Sequence, residues 1–592
     1  MMINLKQQGF RFALAGVFAL GAYLRLHGLA AQILLDDEWH NLIQVLGKNA
    51  VRVLTQFNPH DNASLPLALY NLAVYHLFGW SEFTLRLPLI LAGLLSLVGL
   101  PLLVRKNFNE RVALIFASLL ALSPFLIFYS RYARAYGLVM LLCFAAWFWF
   151  CAWLTTGKRP YAAGFALAGI LAVYSHPAAL VAVAVPLMTV LACKLPGRFW
   201  GPAAAGRQSI VPLKALLTLA LVLTLLILPL MLQMFRVSDK LPWGKGVLTL
   251  DGVLTAATLL SGTVNLPLNI LFFLLCALGF KWMFQHQPLL GWMGLTTACA
   301  YVVVLLVSRP LGLDNGEVLL RYLIVLVPMV LLSAALGMEG LLRRVQNWKN
   351  PGRCPAGLPV VVVLGCLYAA GPLPALRVSP NNFSNHAAFQ GSYRRHTWSS
   401  SEAGTVYPSL SIHTNQIPPF YFWLAGQSNL TAIIEYPFEV CDFNNLFYYY
   451  QHFHQKRVIA GYCRNYKLLG CDATPAPEPG SSTAAAGAML SADTILSCVP
   501  DRTKLTFHNM VNILDLAAMN NSPAGVIVLH KYILALNPKA GAAEGTTPSG
   551  RIQEYYRSVK LLRDPFQQAF GPPVYEDEQM VCFWVHAVPP AK

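Results

Sequence analysis

Three consecutive carboxylates, Asp36, Asp37 and Glu38, stand where the chain leaves its first apolar run, followed by Trp39 and His40. At a hydrocarbon boundary such groups call for a cation, a metal or a proton to move, because an uncompensated charge is costly there. Helix capping accounts for one of them: Asp36 or Asp37 can accept the first amide hydrogens of a helix beginning near Trp39. Three in a row ask for more. On a helix, Asp37, His40, Asn41 and Gln44 share one face. A second polar island, His60-Asp61-Asn62, precedes Pro66 and reads either as a turn before a helix or as a further part of the same site.

Two arginines and three tyrosines follow in Tyr129-Ser130-Arg131-Tyr132-Ala133-Arg134-Ala135-Tyr136, squeezed between apolar runs. A guanidinium offers a planar fork of donors that suits phosphate. An ion pair with the first-loop carboxylates is the compatible structural alternative. Arg309 closes one apolar run, Arg321-Tyr322 opens the next, and Tyr174-Ser175-His176-Pro177 makes a tight turn. A lone His in a turn is more often structural than catalytic. Arg131, Arg134, Arg309 and Arg321 would then lie at one depth on one membrane face, a seat for an anionic lipid head group.

The elements that must position these residues are membrane spans. The 592 residues are 56% hydrophobic and only 12% charged. Apolar runs near 10–30, 85–104, 112–130, 137–154, 161–176, 178–193, 215–233, 266–284, 289–307, 322–337 and 357–373 each suit ~30 Å of hydrocarbon. This predicts a polytopic α-helical membrane protein of about eleven spans. Arg25 interrupts the end of the first run and no small-residue cleavage site is evident, so it reads as a retained span. The net charge of +17 is uneven: residues 1–376 hold 27 Lys/Arg against 11 Asp/Glu, and residues 377–592 hold 16 against 15. The excess lies between the spans, which excludes nucleic acid and fits the positive-inside rule with a cytoplasmic N-terminus. Eleven spans would leave the C-terminal part outside the cytoplasm, in the periplasm or beyond the cell.

Residues 1–376 thus read as a membrane domain with a first outer loop at 31–84. Apolar spacing there predicts interfacial helices over 41–53 and 67–78. The outer segment 235–265, with Trp243, reads as a surface or lid element. Residues 377–592 read as a soluble α/β or α+β domain, with strands at 405–412, 432–436, 458–462 and 525–530 and helices at 443–455 and 551–562. An Ala/Pro/Ser/Gly-rich insertion spans 474–492. Its five cysteines are an odd number in a compartment that permits pairing.

The ordered motifs resemble the GT-C glycosyltransferases, in the bacterial protein-O-mannosyltransferase-like and aminoarabinose-transferase-like branch. The likeness rests on Asp37-Glu38, on Phe78-Gly79-Trp80-Ser81-Glu82-Phe83-Thr84-Leu85-Arg86-Leu87-Pro88, on Ser123-Pro124 and on the run from Tyr129 to Tyr136. Tyr174-Ser175-His176 and Arg321-Tyr322-Leu323 complete it. The resemblance implies a membrane hexosyl- or pentosyltransferase that uses a polyprenyl-phosphate sugar on the periplasmic side of a bacterial plasma membrane. It makes Asp37 the base for an acceptor hydroxyl, with Glu38 its neighbour. Arg134 and Arg321 grip the donor phosphate, with Arg131 and Arg309 nearby. Asp36, His40, His60, Asp61, Tyr136, His176 and Tyr322 fall to acceptor binding or support. Arg131-Tyr132 stands where the family often has Gln-Glu, and Asn62-Ala63-Ser64-Leu65-Pro66 replaces its His-Pro-Pro. These departures leave the acceptor (lipid, glycan or protein) and any divalent cation open, and no cofactor is firmly implied.

The chemistry suits the residues. A glycosyl phosphate already carries a good leaving group, so one carboxylate base and two arginines suffice, and a single displacement inverts the anomeric centre. A transporter or flippase of a lipid-linked substrate is the main alternative. It predicts ionisable residues near mid-membrane and internal repeats with broken helices, whereas here they gather at one face and no repeat is seen. A non-catalytic scaffold with a recruiting outer domain is the other.

Overall fold

The computed structural model describes residues 2–27, 29, 34, 38, 41, 45, 48–55, 64–79, 81–194, 209–236, 244–348, 358–369, 417–427, 432–436, 450–451, 453–454, 456–459, 525–530, 563, 567, 571–577 and 580–585. The chain forms two compact units, one of Met1–Ala30 and His40–Val406, the other of Ala31–Trp39 and Tyr407–Lys592.

The first unit is helical. Its helices are α1 (Met2–Leu26), α2 (Ala50–Thr55), α3 (Leu65–Phe78), α4 (Glu82–Asn107), α5 (Glu110–Leu122), α6 (Pro124–Ser130), α7 (Tyr136–Thr156), α8 (Arg159–Ser175) and α9 (Ala179–Lys194). They continue as α10 (Leu213–Arg236), α11 (Leu250–Ser261), α12 (Leu266–His286), α13 (Pro288–Ser308), α14 (Gly316–Tyr322), a 3-10 turn at Ile324–Leu326, α15 (Val327–Trp348) and α16 (Leu358–Ala369). Seven are long and apolar enough to cross a membrane, or eight if α5 and α6 count as one span bent by 65°. The chain is an integral membrane protein. The eleven expected spans all fall on helical segments, but α8, α9 and α16 have only 17, 16 and 12 residues. Those described lengths are shorter than the ~20 residues typical of a span, so among the described residues seven or eight spans are shown and the count of eleven is not confirmed.

Burial sorts the helices. Leu217, Leu221, Leu225, Leu228 and Leu232 of α10 are exposed along one stripe, as are Val303, Leu306 and Val307 of α13. In a spanning helix such a stripe is the lipid face. By contrast α7 is apolar all round and mostly buried, as expected of a helix surrounded by others. Helices α12 and α15 meet backbone to backbone. A Cβ at Gly279 would stand 1.7 Å from the Ser333 carbonyl oxygen, and one at Gly337 would stand 2.0 Å from that of Leu275. Small residues at such crossings are how spanning helices approach closely.

The bend between α5 and α6 has a local cause. Pro124 has no N–H, so the Leu120 carbonyl loses its helical donor. Ser123 serves both helices: its N–H donates to Leu119 O at 3.0 Å, and its hydroxyl accepts from Leu126 N at 3.4 Å. Arg25 of α1, only 2% exposed, takes the carbonyls that remain. It donates to Leu120 O at 2.9 Å, Ala121 O at 3.2 Å and the Ser130 hydroxyl at 3.1 Å.

The first-loop helices differ from expectation at their starts. Helix α2 begins at Ala50, although Asn41 is itself helical. Helix α3 begins at Leu65, where Ser64 accepts from Leu67 N at 3.3 Å and Pro66 fits the first turn. In the outer segment 235–265, α11 is the described helix, and Trp243 lies outside the described residues.

In the second unit, α17 (Pro419–Ala425) packs on a five-stranded mixed sheet of order β2-β1-β3-β5-β4. Strands β1 (Ala432–Tyr436), β2 (Arg457–Ile459) and β3 (Gly525–His530) run parallel, and β4 (Tyr575–Glu576) and β5 (Met580–Val585) add an antiparallel hairpin. Val526–Leu529 and Met580–Phe583 are buried at every position, which marks strands covered on both faces. Strand β5 is not among the expected strands, although its unbroken apolar run is of the same kind as that of β3. Cys582 lies fully buried within β5. The other four C-terminal cysteines lie outside the described residues, as do 405–412 and 551–562.

Candidate active site

The run from Tyr129 to Tyr136 is the hub of the first unit. It begins in the last turn of α6, crosses a bend at Arg131–Arg134 and enters α7. The Asn41 side-chain amide donates to the Ala133 carbonyl. Asp37 lies four positions before Asn41 in the chain.

On one side of the hub lies a cationic cluster. The charges of Arg134 and of Arg321 in α14 both act on His176 in the α8–α9 turn. The His176 and Tyr136 rings lie 5.5 Å apart, and the Arg321 guanidinium sits 5.5 Å from the Tyr136 ring centre. Burial, then Arg134 and Arg321, hold the His176 imidazole well below its ordinary value, at about 4. The imidazole is therefore neutral near pH 7. Its Nδ1 accepts from Ala178 N at 3.2 Å. Three residues separated widely in sequence thus converge, and each comes from a different element.

Helix α14 is short, and its placement is set at its start. Asn315 caps it by accepting from Glu317 N at 3.0 Å and Val318 N at 3.4 Å. Arg321 therefore belongs to a separate helix ahead of the last long span, not to the span itself. Glu317, fully buried, accepts from the Tyr129 hydroxyl. That bond joins α14 to α6, one helical turn from Arg321. Tyr129 packs against Phe125 at 4.7 Å and Tyr136 at 5.3 Å.

Arg131 serves the other side. It is 3% exposed, and its Nη1 donates to Leu24 O at 3.2 Å and His27 O at 2.7 Å, beyond the end of α1. Buried Arg86 of α4 is its charged neighbour. Burial, then Arg86, lower Arg131 to about 10. Its Nε and Nη2 are buried with no hydrogen-bond partner, and such atoms call for a bound water or anion. Arg309 is engaged elsewhere: it ends α13 at φ 43°, and its Nε donates to Gly246 O at 3.2 Å. The Tyr322 hydroxyl donates to Leu311 O at 3.2 Å. The four arginines expected together are thus divided, with only Arg134 and Arg321 sharing His176.

Glu38 is fully buried. Asp36, Asp37, His40, His60 and Asp61 lie outside the described residues. Among the described residues no three His, Cys, Asp or Glu side chains gather as a metal site. Sequence reasoning missed Glu317, Arg25 and Arg86 as parts of this assembly. A lone carboxylate four residues before Arg321 was the available signal for Glu317, and Arg86 stood inside a quoted motif.

Comparison with known proteins finds a family likeness over part of the chain. Residues 65–228 match the family described as dolichyl-phosphate-mannose-protein mannosyltransferase. No curated protein matches the chain. Among solved structures, the chain is similar to ArnT from Cupriavidus metallidurans in the apo state at 12% identity and TM-score 0.47, covering 99% of this chain and 100% of that one. The same protein bound to undecaprenyl phosphate gives 13% identity and TM-score 0.44, over 98% and 99%. The Archaeoglobus fulgidus oligosaccharyltransferase complex with Zn and sulfate gives 13% and 0.45, over 90% of this chain and 70% of that one. The family match falls within the region that carries the ordered motifs, and over residues 65–228 the chain is similar to the dolichyl-phosphate-mannose-protein mannosyltransferases.

Proposed function

We propose that the chain transfers a sugar from a polyprenyl-phosphate donor to a hydroxyl of a lipid, glycan or protein acceptor on the outer face of a bacterial plasma membrane. The observation that carries this is the Tyr136 ring, with the Arg321 guanidinium 5.5 Å from its centre and the His176 ring 5.5 Å away, where the charge of Arg134 also acts. Two guanidiniums, one from the bend before α7 and one from α14, beside a neutral imidazole suit one phosphate, which accepts from several fixed donors at once. The lipid tail of such a donor would lie against the apolar helices of the same unit.

The reaction needs no strong acid. The acceptor oxygen attacks the anomeric carbon, and the bond from that carbon to the phosphate oxygen breaks. Its electron pair leaves with the polyprenyl phosphate, and the acceptor proton passes to a carboxylate. Asp37 is assigned that proton, with Glu38 beside it in the chain. One displacement of this kind inverts the anomeric centre. The chemistry is assigned to residues 1–376, with the N-terminus cytoplasmic, and the sheet-bearing residues 377–592 to the outer side.

The test is purified protein with a radiolabelled polyprenyl-phosphate sugar and a membrane extract as acceptor source. Wild type should consume donor, and Asp37→Asn and Arg134→Ala should each lose about 100-fold or more in rate, the scale of general-base and oxyanion contributions. Donor that crosses a bilayer unconsumed would make the protein a flippase. An Asp37→Asn protein that folds and turns over like wild type would remove Asp37 as base.

A further inference from the structure

We propose that His176 serves the phosphate between Arg134 and Arg321 as a neutral hydrogen-bond donor through Nε2–H, and never as its general acid. The inference deepens the donor-phosphate reading above and rests on it.

The backbone fixes the tautomer. Nδ1 accepts from Ala178 N at 3.2 Å, so it presents a lone pair there and the ring proton sits on Nε2. Protonating the ring would put a second N–H on Nδ1, facing the Ala178 N–H. That bond would be lost and the two donors would repel. The surrounding charges argue the same way. Arg134 faces the imidazole from the hub and Arg321 from α14. The neighbouring titratable groups are the phenols of Tyr136, against the ring, and Tyr301, which donates to Ala178 O at 2.8 Å. No described carboxylate joins them in acting on the ring, so in the ligand-free protein a third positive charge would meet no compensation, and with phosphate bound the Ala178 N–H still holds Nδ1 as an acceptor.

The turn holds the ring in place. Ala179 N donates to His176 O at 2.9 Å, and Leu180 N to Pro177 O at 2.9 Å. With Nδ1 occupied, Nε2–H is the ring's one remaining polar group. It can strengthen a hydrogen bond as negative charge grows on the leaving phosphate. A fixed neutral donor does this without giving up its proton. The proton balance of the reaction is unchanged: the acceptor proton goes to the carboxylate, the phosphate leaves as the anion, and His176 keeps its own hydrogen.

The experiment uses the full-length protein in detergent and a probe whose charge is constant across the range, the methyl diester of undecaprenyl phosphate. Affinity is measured at pH 7.5 and 5.5 for wild type, His176→Phe and His176→Gln. Wild type should bind equally at both values, within about twofold. His176→Phe should bind about tenfold more weakly, the scale of one hydrogen bond to a charged group. His176→Gln, which retains an N–H donor, should return to within about threefold. Wild-type binding that tightens fivefold or more at pH 5.5 would reveal an imidazolium and overturn the proposal, as would a His176→Phe affinity equal to wild type. If His176→Phe does not fold, the wild-type pH comparison and His176→Gln decide. If wild type does not bind the diester at all, the donor reading fails and this inference with it; if wild type binds and only the His176 results disagree, the donor reading stands alone.

Discussion

Arg25 donates at 2.9 Å to the carbonyl of Leu120, the acceptor that Pro124 leaves without its helical amide. A break in a spanning helix frees backbone carbonyls in a place with no water, so a side chain from another helix must replace the missing donor. The break is what lets α6 leave the line of α5 and carry Tyr129–Tyr136 to its position. The hub therefore depends on a residue of α1, about a hundred positions earlier in the chain.

Replacing Arg25 tests that dependence. Arg25→Met should cost about 2–4 kcal/mol, since it strands buried carbonyls at Leu120 and Ala121. Arg25→Lys reaches fewer of them and should lose less. Thermal unfolding in detergent reads both, and equal stability of Arg25→Met and wild type would show that the carbonyls find other donors.

The Tyr129–Glu317 bond should be felt at Arg321. Tyr129→Phe leaves a buried carboxylate short of its donor and should cost about 1–3 kcal/mol. Because Arg321 lies one turn on in the same short helix, lipid-phosphate affinity should fall too. Glu317→Gln keeps the volume and an acceptor, so it should fall less. Unfolding temperature and binding of a polyprenyl phosphate diester, measured on the same samples, check the coupling.

Helices α12 and α15 tolerate no side chain where they cross. Gly279→Ala places a methyl group on the Ser333 carbonyl, and such overpacking typically costs about 1–3 kcal/mol. Gly279→Val should abolish folded protein on size-exclusion chromatography. The exposed Leu225→Ala on α10 should leave the elution unchanged.

His176 also makes a statement about acid stability. Its folded value is about 4, against an ordinary 6.5. A depressed group of this kind contributes stability that is fully present above about 6.5. As the pH falls from there toward 4 the unfolded chain takes a proton that the folded protein refuses, and stability drops. Removing the imidazole with His176→Phe should flatten that part of the curve. Unfolding temperatures at pH 7.5 and 5.0 would show it, and an identical drop in variant and wild type would count against the buried neutral ring.

Composition and periodicity alone determined that this is a polytopic membrane protein with a sheet-bearing C-terminal part, because a spanning helix must be apolar along its whole length. The motifs alone singled out Tyr129–Tyr136, His176 and Arg321, whereas the break at Ser123-Pro124 fell inside a run read as one span, 112–130. What pattern could not supply was partnership. Arg131 and Arg134 look equivalent in the sequence, three residues apart, yet one reaches the end of α1 and the other His176. That division is made by which helices pack on each side of the bend. Arg309 shows no backbone partner in the sequence, and in the fold its Nε donates to Gly246 O. Glu317 looks like one more loop acid until Tyr129 is found donating to it. Such pairings join positions 188 residues apart, and helical periodicity reports only on neighbours within a few turns. Only the folded chain, where a buried polar atom must find its partner wherever it lies, could decide them.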